Sequence, residues 1–190
     1  MENMIQLFKS IAPLTDADCE SLMSICKTKS LEKGEHWIAI NQKNHKIAFI
    51  EKGYLRKYYL KEDKEITDYF YFENDLSADL PSIIGNFLPQ AGIIAMEKSE
   101  LITFSYFDFI KLCSASPAIE HFYRLMIEQI FLRFYKRTES FILKTPLERY
   151  NDLMHQQARV FQKATQYHIA SYLGISPQHL SRLRNENTSI

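Results

Sequence analysis

The sequence predicts an α+β protein: an antiparallel β-roll of jelly-roll type, a long helix, and a small helical region ending in a helix-turn-helix. Three observations carry this prediction. Residues 33–107 lose the helical period and break into short β-branched and aromatic runs separated by turn residues. Residues 117–143 regain apolar positions at spacings of three and four. Residues 165–184 hold the small residue, the glycine and the apolar positions that two short, steeply crossed helices require.

In chain order, Thr15-Asp16-Ala17-Asp18 is a helix start, opening a short helix through about Ile25 with Cys19, Leu22, Met23 and Cys26 on one face. Runs at 46–50, 54–60, 66–72 and 101–106 read as strands. Gly34, Gly53, Asn74-Asp75 and residues 89–92 supply the breaks, a spacing that suits a sandwich or roll with an antiparallel sheet.

Three pairs punctuate the second half: Ser116-Pro117, Thr145-Pro146 and Ser176-Pro177. Each is a helix start, because the hydroxyl accepts a bond from a first-turn N–H while proline sacrifices only an N–H that had no helical partner. Glu148 completes a capping box with Thr145. Between the first two pairs runs the long helix, with Ile119, Phe122, Met126, Ile130, Arg133/Phe134, Arg137 and Phe141 in register and Tyr123, Ile127 and Phe131 widening the stripe. So broad an apolar face predicts that the helix packs both on its own β domain and on a second copy of the chain. The expected organisation is a β-roll sensor at 1–115, a dimerisation helix at 116–144, and a DNA-binding domain at 145–190 hinged at Thr145-Pro146.

The 190 residues carry no formal net charge, which by itself argues against a nucleic-acid partner. The distribution reverses that argument. Residues 1–123 hold 13 Lys+Arg against 18 Asp+Glu, whereas residues 124–190 hold 10 against 5, so only the C-terminal third can face phosphate. Cys19, Cys26 and Cys113 lack CxxC spacing and read as small core side chains of a reducing compartment. No apolar run approaches the roughly 18 residues of a membrane span, and the N-terminus shows no basic flank before an apolar stretch; the expected location is the cytoplasm.

The chemistry lies in 166–183. Ala170 is small where two helices cross, Gly174 can take the positive φ that ends the first helix, and Ile169, Leu173, Ile175, Leu180 and Leu183 form a shared core. The second helix starts at Ser176-Pro177 and turns Pro177, Gln178, His179, Ser181 and Arg182 outward. Glutamine offers adenine a paired donor and acceptor, and arginine forks onto guanine or phosphate. Thr165, Ser176, Pro177, Gln178, His179, Ser181, Arg182 and Arg184 are the candidate DNA contacts.

The stretch IASYLGISPQHLSRL, with the turn glycines Gly34 and Gly53, resembles the Crp/Fnr family of bacterial transcription regulators. The resemblance implies a cyclic-nucleotide-binding-like roll, a long dimer helix and a C-terminal helix-turn-helix, with Pro177, Gln178, Ser181 and Arg182 at base- or phosphate-contacting positions. The chain departs from nucleotide-binding members. Ala78-Asp79-Leu80 stands where they carry Gly-Glu-Leu, and Pro89, followed by Gln90, falls where they carry the phosphate-binding arginine. No arginine occurs between Arg56 and Arg124, while Lys98 and Lys111 lie far from this cassette in sequence. Phe134 and Tyr135 match the small hydroxyl residues that touch adenine. The candidate effector pocket is therefore Ala78, Asp79, Leu80, Pro89, Gln90, Phe134 and Tyr135, with cyclic AMP disfavoured and an unknown small-molecule effector left open.

Three cysteines cannot supply the four ligands of an iron-sulfur cluster, and His36, His45 and His121 have no defined haem partner. The sequence has no cupin metal constellation, nucleophile elbow or phosphate loop. The expected function is a homodimeric, non-enzymatic regulator of double-stranded DNA with no cofactor, metal or membrane association. The alternative is a ligand- or protein-binding roll whose C-terminal helices only pack. With only 156–164 before the helix-turn-helix and six residues after Arg184, a β wing is expected to be missing or reduced.

Overall fold

The computed structural model describes residues 1–187. The chain forms two compact units, one comprising Met1–Lys57 and Phe70–Ile130, the other 58–69 with the chain from Phe131 onward.

Two helices precede the first strand. In α2 (Asp16–Ser24), Thr15 Oγ1 accepts from the Asp18 N–H at 3.2 Å, and the Asp18 carboxylate accepts from the Thr15 N–H at 2.9 Å. This closes the capping box. Cys19 and Leu22 are buried as expected, but Met23 is exposed, so the buried face is narrower than the sequence reading. The sequence reading missed α1 (Glu2–Ile11), which has no side-chain cap and buries only Met4 and Phe8, one turn apart.

The strands are β1 (Lys27–Leu31), β2 (His36–Ile38), β3 (Lys46–Lys52), β4 (Leu55–Lys61), β5 (Lys64–Tyr71), β6 (Leu76–Ser77), β7 (Ala91–Ala95) and β8 (Ser99–Ser105). They form two four-stranded sheets, ordered β1-β8-β3-β6 and β2-β7-β4-β5. In the first sheet the ladders are antiparallel, with Ile47 opposite Phe104 and Phe49 opposite Ile102. The short helix α3 (Leu80–Gly85) links β6 toward β7. Gly53 has φ +103°, and a Cβ there would stand 2.3 Å from Ser99 Oγ, so the turn into β4 requires glycine.

Two readings near the sheet are corrected. The expected break at 89–92 is partly strand, because Ala91 and Gly92 begin the buried run of β7 and Gly92 is not in the left-handed region. Tyr106 does not extend β8 but opens α4 (Tyr106–Ala115), where Ser105 Oγ accepts from the Asp108 N–H. The Ser-Asp cap ends the strand one residue earlier than the aromatic run suggests.

The long helix α5 (Pro117–Leu143) has the expected bounds, and Ser116 Oγ accepts from the Ile119 N–H at 3.3 Å. Its first turns bury Ile119 and Phe122 in the core of the first unit, where the Phe8 and Phe122 ring centroids lie 4.3 Å apart and the Phe8 ring meets Phe49 edge-on.

The second unit contains α6 (Pro146–Gln156), α7 (Arg159–Lys163), α8 (Gln166–Leu173) and α9 (Pro177–Asn187), with no strand between 144 and 187. Thr145 and Glu148 form the expected capping box on α6, and these bonds hold the Glu148 carboxyl below its ordinary range. Tyr58, Tyr150, Leu153, Val160, Ile169, Ala170, Leu173, Leu180 and Leu183 are its buried apolar residues. The β4–β5 hairpin tip belongs to this unit and turns through Glu62 and Asp63, both at positive φ (49° and 60°), the backbone of a two-residue type I′ turn built without glycine.

Candidate nucleic-acid interface

Local chemistry shapes the helix-turn-helix at each joint. Thr165 Oγ1 accepts from the His168 N–H at 3.2 Å and starts α8. Gly174, at φ +70°, ends it by turning its own N–H back to the Ala170 and Ser171 carbonyls, and the Ile175 N–H also donates to Ala170 O. Ser176 Oγ then accepts from the His179 N–H at 3.1 Å and starts α9. Ile169, Ala170, Leu173, Leu180 and Leu183 are buried between the helices as expected; Ile175, expected in the same core, is only half-buried.

With Leu180 and Leu183 inward, the opposite side of α9 presents Gln178, His179, Ser181 and Arg182 to solvent, with Pro177 and Arg184 half-buried beside them. Thr165 and Ser176 are exposed at the helix starts. The sequence-derived residues therefore fall into two roles: Thr165 and Ser176 shape the turn with their side chains, and the other six line α9.

The ten cations of the C-terminal third are not equally available to phosphate. The Arg124 guanidinium donates to Glu128 and Lys144 pairs with Asp152 at 2.6 Å. Arg149 joins three chain segments: Nε donates to Leu173 O, Nη1 donates to Lys144 O, and the guanidinium lies over the Phe141 ring. Arg137 donates to Tyr172 O at 3.0 Å, stacks 3.8 Å from the Tyr172 ring centroid and faces Asp68. Arg133 donates to the Tyr69 hydroxyl at 2.8 Å and lies over its ring. Arg133, Arg137 and Arg149 are thus engaged in structural contacts, while Arg124 and Lys144 form exposed surface pairs. The sequence reading missed the role of these three arginines, although Arg133 and Arg137 sit one turn apart within an apolar stripe, which signals partners nearby.

The candidate effector residues lie in both units. In the first, Asp79 is buried and its carboxylate stands 3.7 Å from the equally buried Lys57 ammonium. Pro89 is buried, Ala78 and Leu80 are half-buried, and Gln90 is exposed, with its amide donating to Leu88 O. The sequence reading set Lys98 and Lys111 aside as far from the cassette, and in the structure they pair with Glu32 and Asp108. The cation facing the cassette is Lys57, upstream on β4; the signal for it was Arg56-Lys57 standing inside an apolar strand. In the second unit, Phe134 and Tyr135 are 69% and 54% exposed on α5.

Burial disfavours the thiolate form of all three cysteines. Burial pushes the Cys26 and Cys113 thiols up to about 11 and raises Cys19 as well. Among the described residues no group of three or more His, Cys, Asp or Glu is placed to hold a metal, and no helix is long and apolar enough to cross a membrane.

No protein-family profile and no curated protein matches the sequence. The structure nonetheless has the fold of the Crp/Fnr-type transcription regulators. It is similar to CLP, the c-di-GMP responsive global regulator of Xanthomonas campestris, at a TM-score of 0.72 and 10% identity over 92% of each chain. A double variant of CooA from Carboxydothermus hydrogenoformans gives a TM-score of 0.70 and 18% identity, covering 88% of this chain and 78% of the other. FixK2 from Bradyrhizobium japonicum gives 0.72 and 14% identity, covering 87% and 85%. At these identities the likeness is one of fold.

Proposed function

We propose that the protein is a homodimeric DNA-binding transcription regulator, with a sensor or scaffold roll at 1–115, a dimer helix at 116–144 and a reading head at 145–190. The observation that carries this reading is α9: a helix buried along Leu180 and Leu183 against α8, with Gln178, His179, Ser181 and Arg182 exposed opposite, on a Crp/Fnr-type fold. Gln178 reads a base edge and Arg182 a guanine or a phosphate. Such a protein acts in the cytoplasm and performs no covalent chemistry.

The second copy is supported by α5. Phe131, Leu132, Phe134, Tyr135, Ile142 and Leu143 are all exposed on one chain, an apolar surface that association would remove from water. A two-fold pairing along this helix would hold two reading heads at half-sites about 34–36 Å apart.

The roll is unsuited to cyclic AMP. A cyclic phosphate needs a cation free to turn toward it; here the Lys57 ammonium already faces Asp79, and no arginine stands at Pro89. The effector, if the roll takes one, differs in chemistry.

Gel-shift assays on genomic fragments with nonspecific competitor test the reading. Retention of discrete fragments by the wild-type chain and their release by Arg182→Ala is the expected result. A folded chain that retains none would leave the roll as a ligand- or protein-binding module whose C-terminal helices only pack.

A further inference from the structure

The basic charge of the second unit is not confined to α9. Residues 153–185 contain no Asp or Glu, yet they hold Arg159, Lys163, Arg182 and Arg184. The last acid before this stretch, Asp152, already faces Lys144 at 2.6 Å. Arg182 and Arg184 belong to α9; the other two cations stand on α7, where the sequence reading placed no DNA contact.

Helix α7 is short but firmly seated. Val160 is fully buried, and the Phe161 ring meets Tyr150 of α6 edge-on with centroids 5.2 Å apart. The Ala164 N–H donates to the Val160 carbonyl at 2.8 Å, and α7 packs on α8. Since helical neighbours lie three and four residues apart, turning Val160 and Phe161 inward puts Arg159, Gln162 and Lys163 on the opposite side, and all three are exposed.

The connection to α8 fixes what this side can reach. In a helix-turn-helix on DNA the second helix enters the major groove, while the first crosses the backbone. Lys163 precedes Gln166, the first residue of α8, by three residues, so their Cα atoms are at most about 11 Å apart. Arg159 lies one turn further back, about 6 Å along α7. Among the described residues no strand stands between α6 and α8, so α7 alone fills that connection.

We propose that α7 is a phosphate clamp, in which Arg159 and Lys163 hold the DNA backbone next to the bases that α9 reads. This rests on the DNA-binding reading above and extends it to a second element. A guanidinium forks onto phosphate oxygens and an ammonium meets them as a point charge; neither contact carries sequence information. The acid-free stretch around the pair supplies no carboxylate to repel the backbone.

The test uses the full-length chain and two duplexes of equal length, one carrying a fragment that the wild type retains and one of random sequence, titrated by fluorescence anisotropy at several salt concentrations. Arg159→Gln and Lys163→Gln should each reduce the salt slope by about one, and the double variant by about two. The double variant should bind both duplexes about tenfold more weakly. Exchanging the two cations, Arg159→Lys with Lys163→Arg, keeps both charges and should stay near wild type. Both side chains are exposed, so circular dichroism should report an unchanged fold, and each single variant decides the matter through its own slope. Folded variants with unchanged affinity and slope overturn the clamp. A loss confined to the retained fragment would make α7 a reader of bases and overturn the phosphate assignment. An exchanged pair that binds as poorly as the double variant would overturn it too, because shape and not charge would then matter. A wild-type chain that binds neither duplex overturns the DNA-binding reading itself, an outcome distinct from tight wild-type binding that the glutamine variants retain.

Discussion

Phe141 occupies the space that a side chain on Gly174 would need: a Cβ there would stand 2.7 Å from the Phe141 Cε1. Gly174 also carries a φ of +70°, a conformation that costs an L-residue about 1–2 kcal/mol. The ring is 44% exposed and can swing aside, so the backbone sets most of the cost. Gly174→Ala should lower stability by about 1–2 kcal/mol in denaturant unfolding. Its coupling to Phe141→Ala in a double-mutant cycle should stay below about 0.5 kcal/mol. A larger coupling would make the ring contact, and not the turn, the reason for glycine.

The Lys57–Asp79 pair is buried on both sides, so each charge depends on the other. Lys57→Met should cost about 3–5 kcal/mol, because the Asp79 carboxylate stays buried in the roll without the Lys57 ammonium, and Asp79→Leu should also destabilise the chain. The double variant should recover most of that loss. Unfolding curves of the three variants decide it; additive losses would mean that the two groups are stabilised separately by other neighbours.

Gln178→Ala and Arg182→Ala should leave the fold intact, since both side chains face solvent. Loss of a base contact at Gln178 should cost about 1–3 kcal/mol at the preferred operator and relax choice at one base pair. If Arg182 holds phosphate, its truncation should weaken all sequences alike and reduce the salt slope by about one; if it forks onto guanine, the loss should depend on sequence. Titrations at several salt concentrations separate these cases. Folded variants with unchanged affinity and salt dependence would remove α9 as the reading helix.

Phe134→Glu places charge in the exposed stripe of α5 without disturbing the single chain, because Phe134 is already open to solvent. Light scattering should find the wild-type chain dimeric at micromolar concentration and the variant at least tenfold weaker in self-association. A monomeric wild type would refute pairing along α5.

The elements with strong local chemistry were legible in the sequence. The hydroxyl-proline starts at Pro117, Pro146 and Pro177 and the glycine stop at Gly174 match the observed helix ends because caps act within a single turn. Helix α1 was not legible: two buried residues and no side-chain cap leave too little periodicity, and its place is set by the distant rings of Phe49 and Phe122. The outward set on α9 followed from helical spacing alone. The engagement of Arg133, Arg137 and Ser171 did not, because their partners at Thr67, Asp68 and Tyr69 are between 64 and 104 residues away in sequence. Counting ten cations in the C-terminal third likewise overstated the charge available to phosphate, since a sequence count cannot distinguish a solvated guanidinium from one serving two carbonyls, as Arg149 does.

The Ser171 contact on β5 has a consequence unrelated to DNA. An outer strand left bare is a template on which a strand of another molecule can grow, and sheets with such borders aggregate side to side. Here the border is met at Glu65 and Thr67 by a hydroxyl and at Tyr69 by the Arg133 guanidinium, and it ends in a tight turn of two carboxylates, Glu62 and Asp63, flanked by Lys61 and Lys64. Losing the Ser171 hydroxyl would release the Thr67 N–H and the Glu65 carbonyl from this contact on an outer strand, the kind of border on which a strand of another molecule can add.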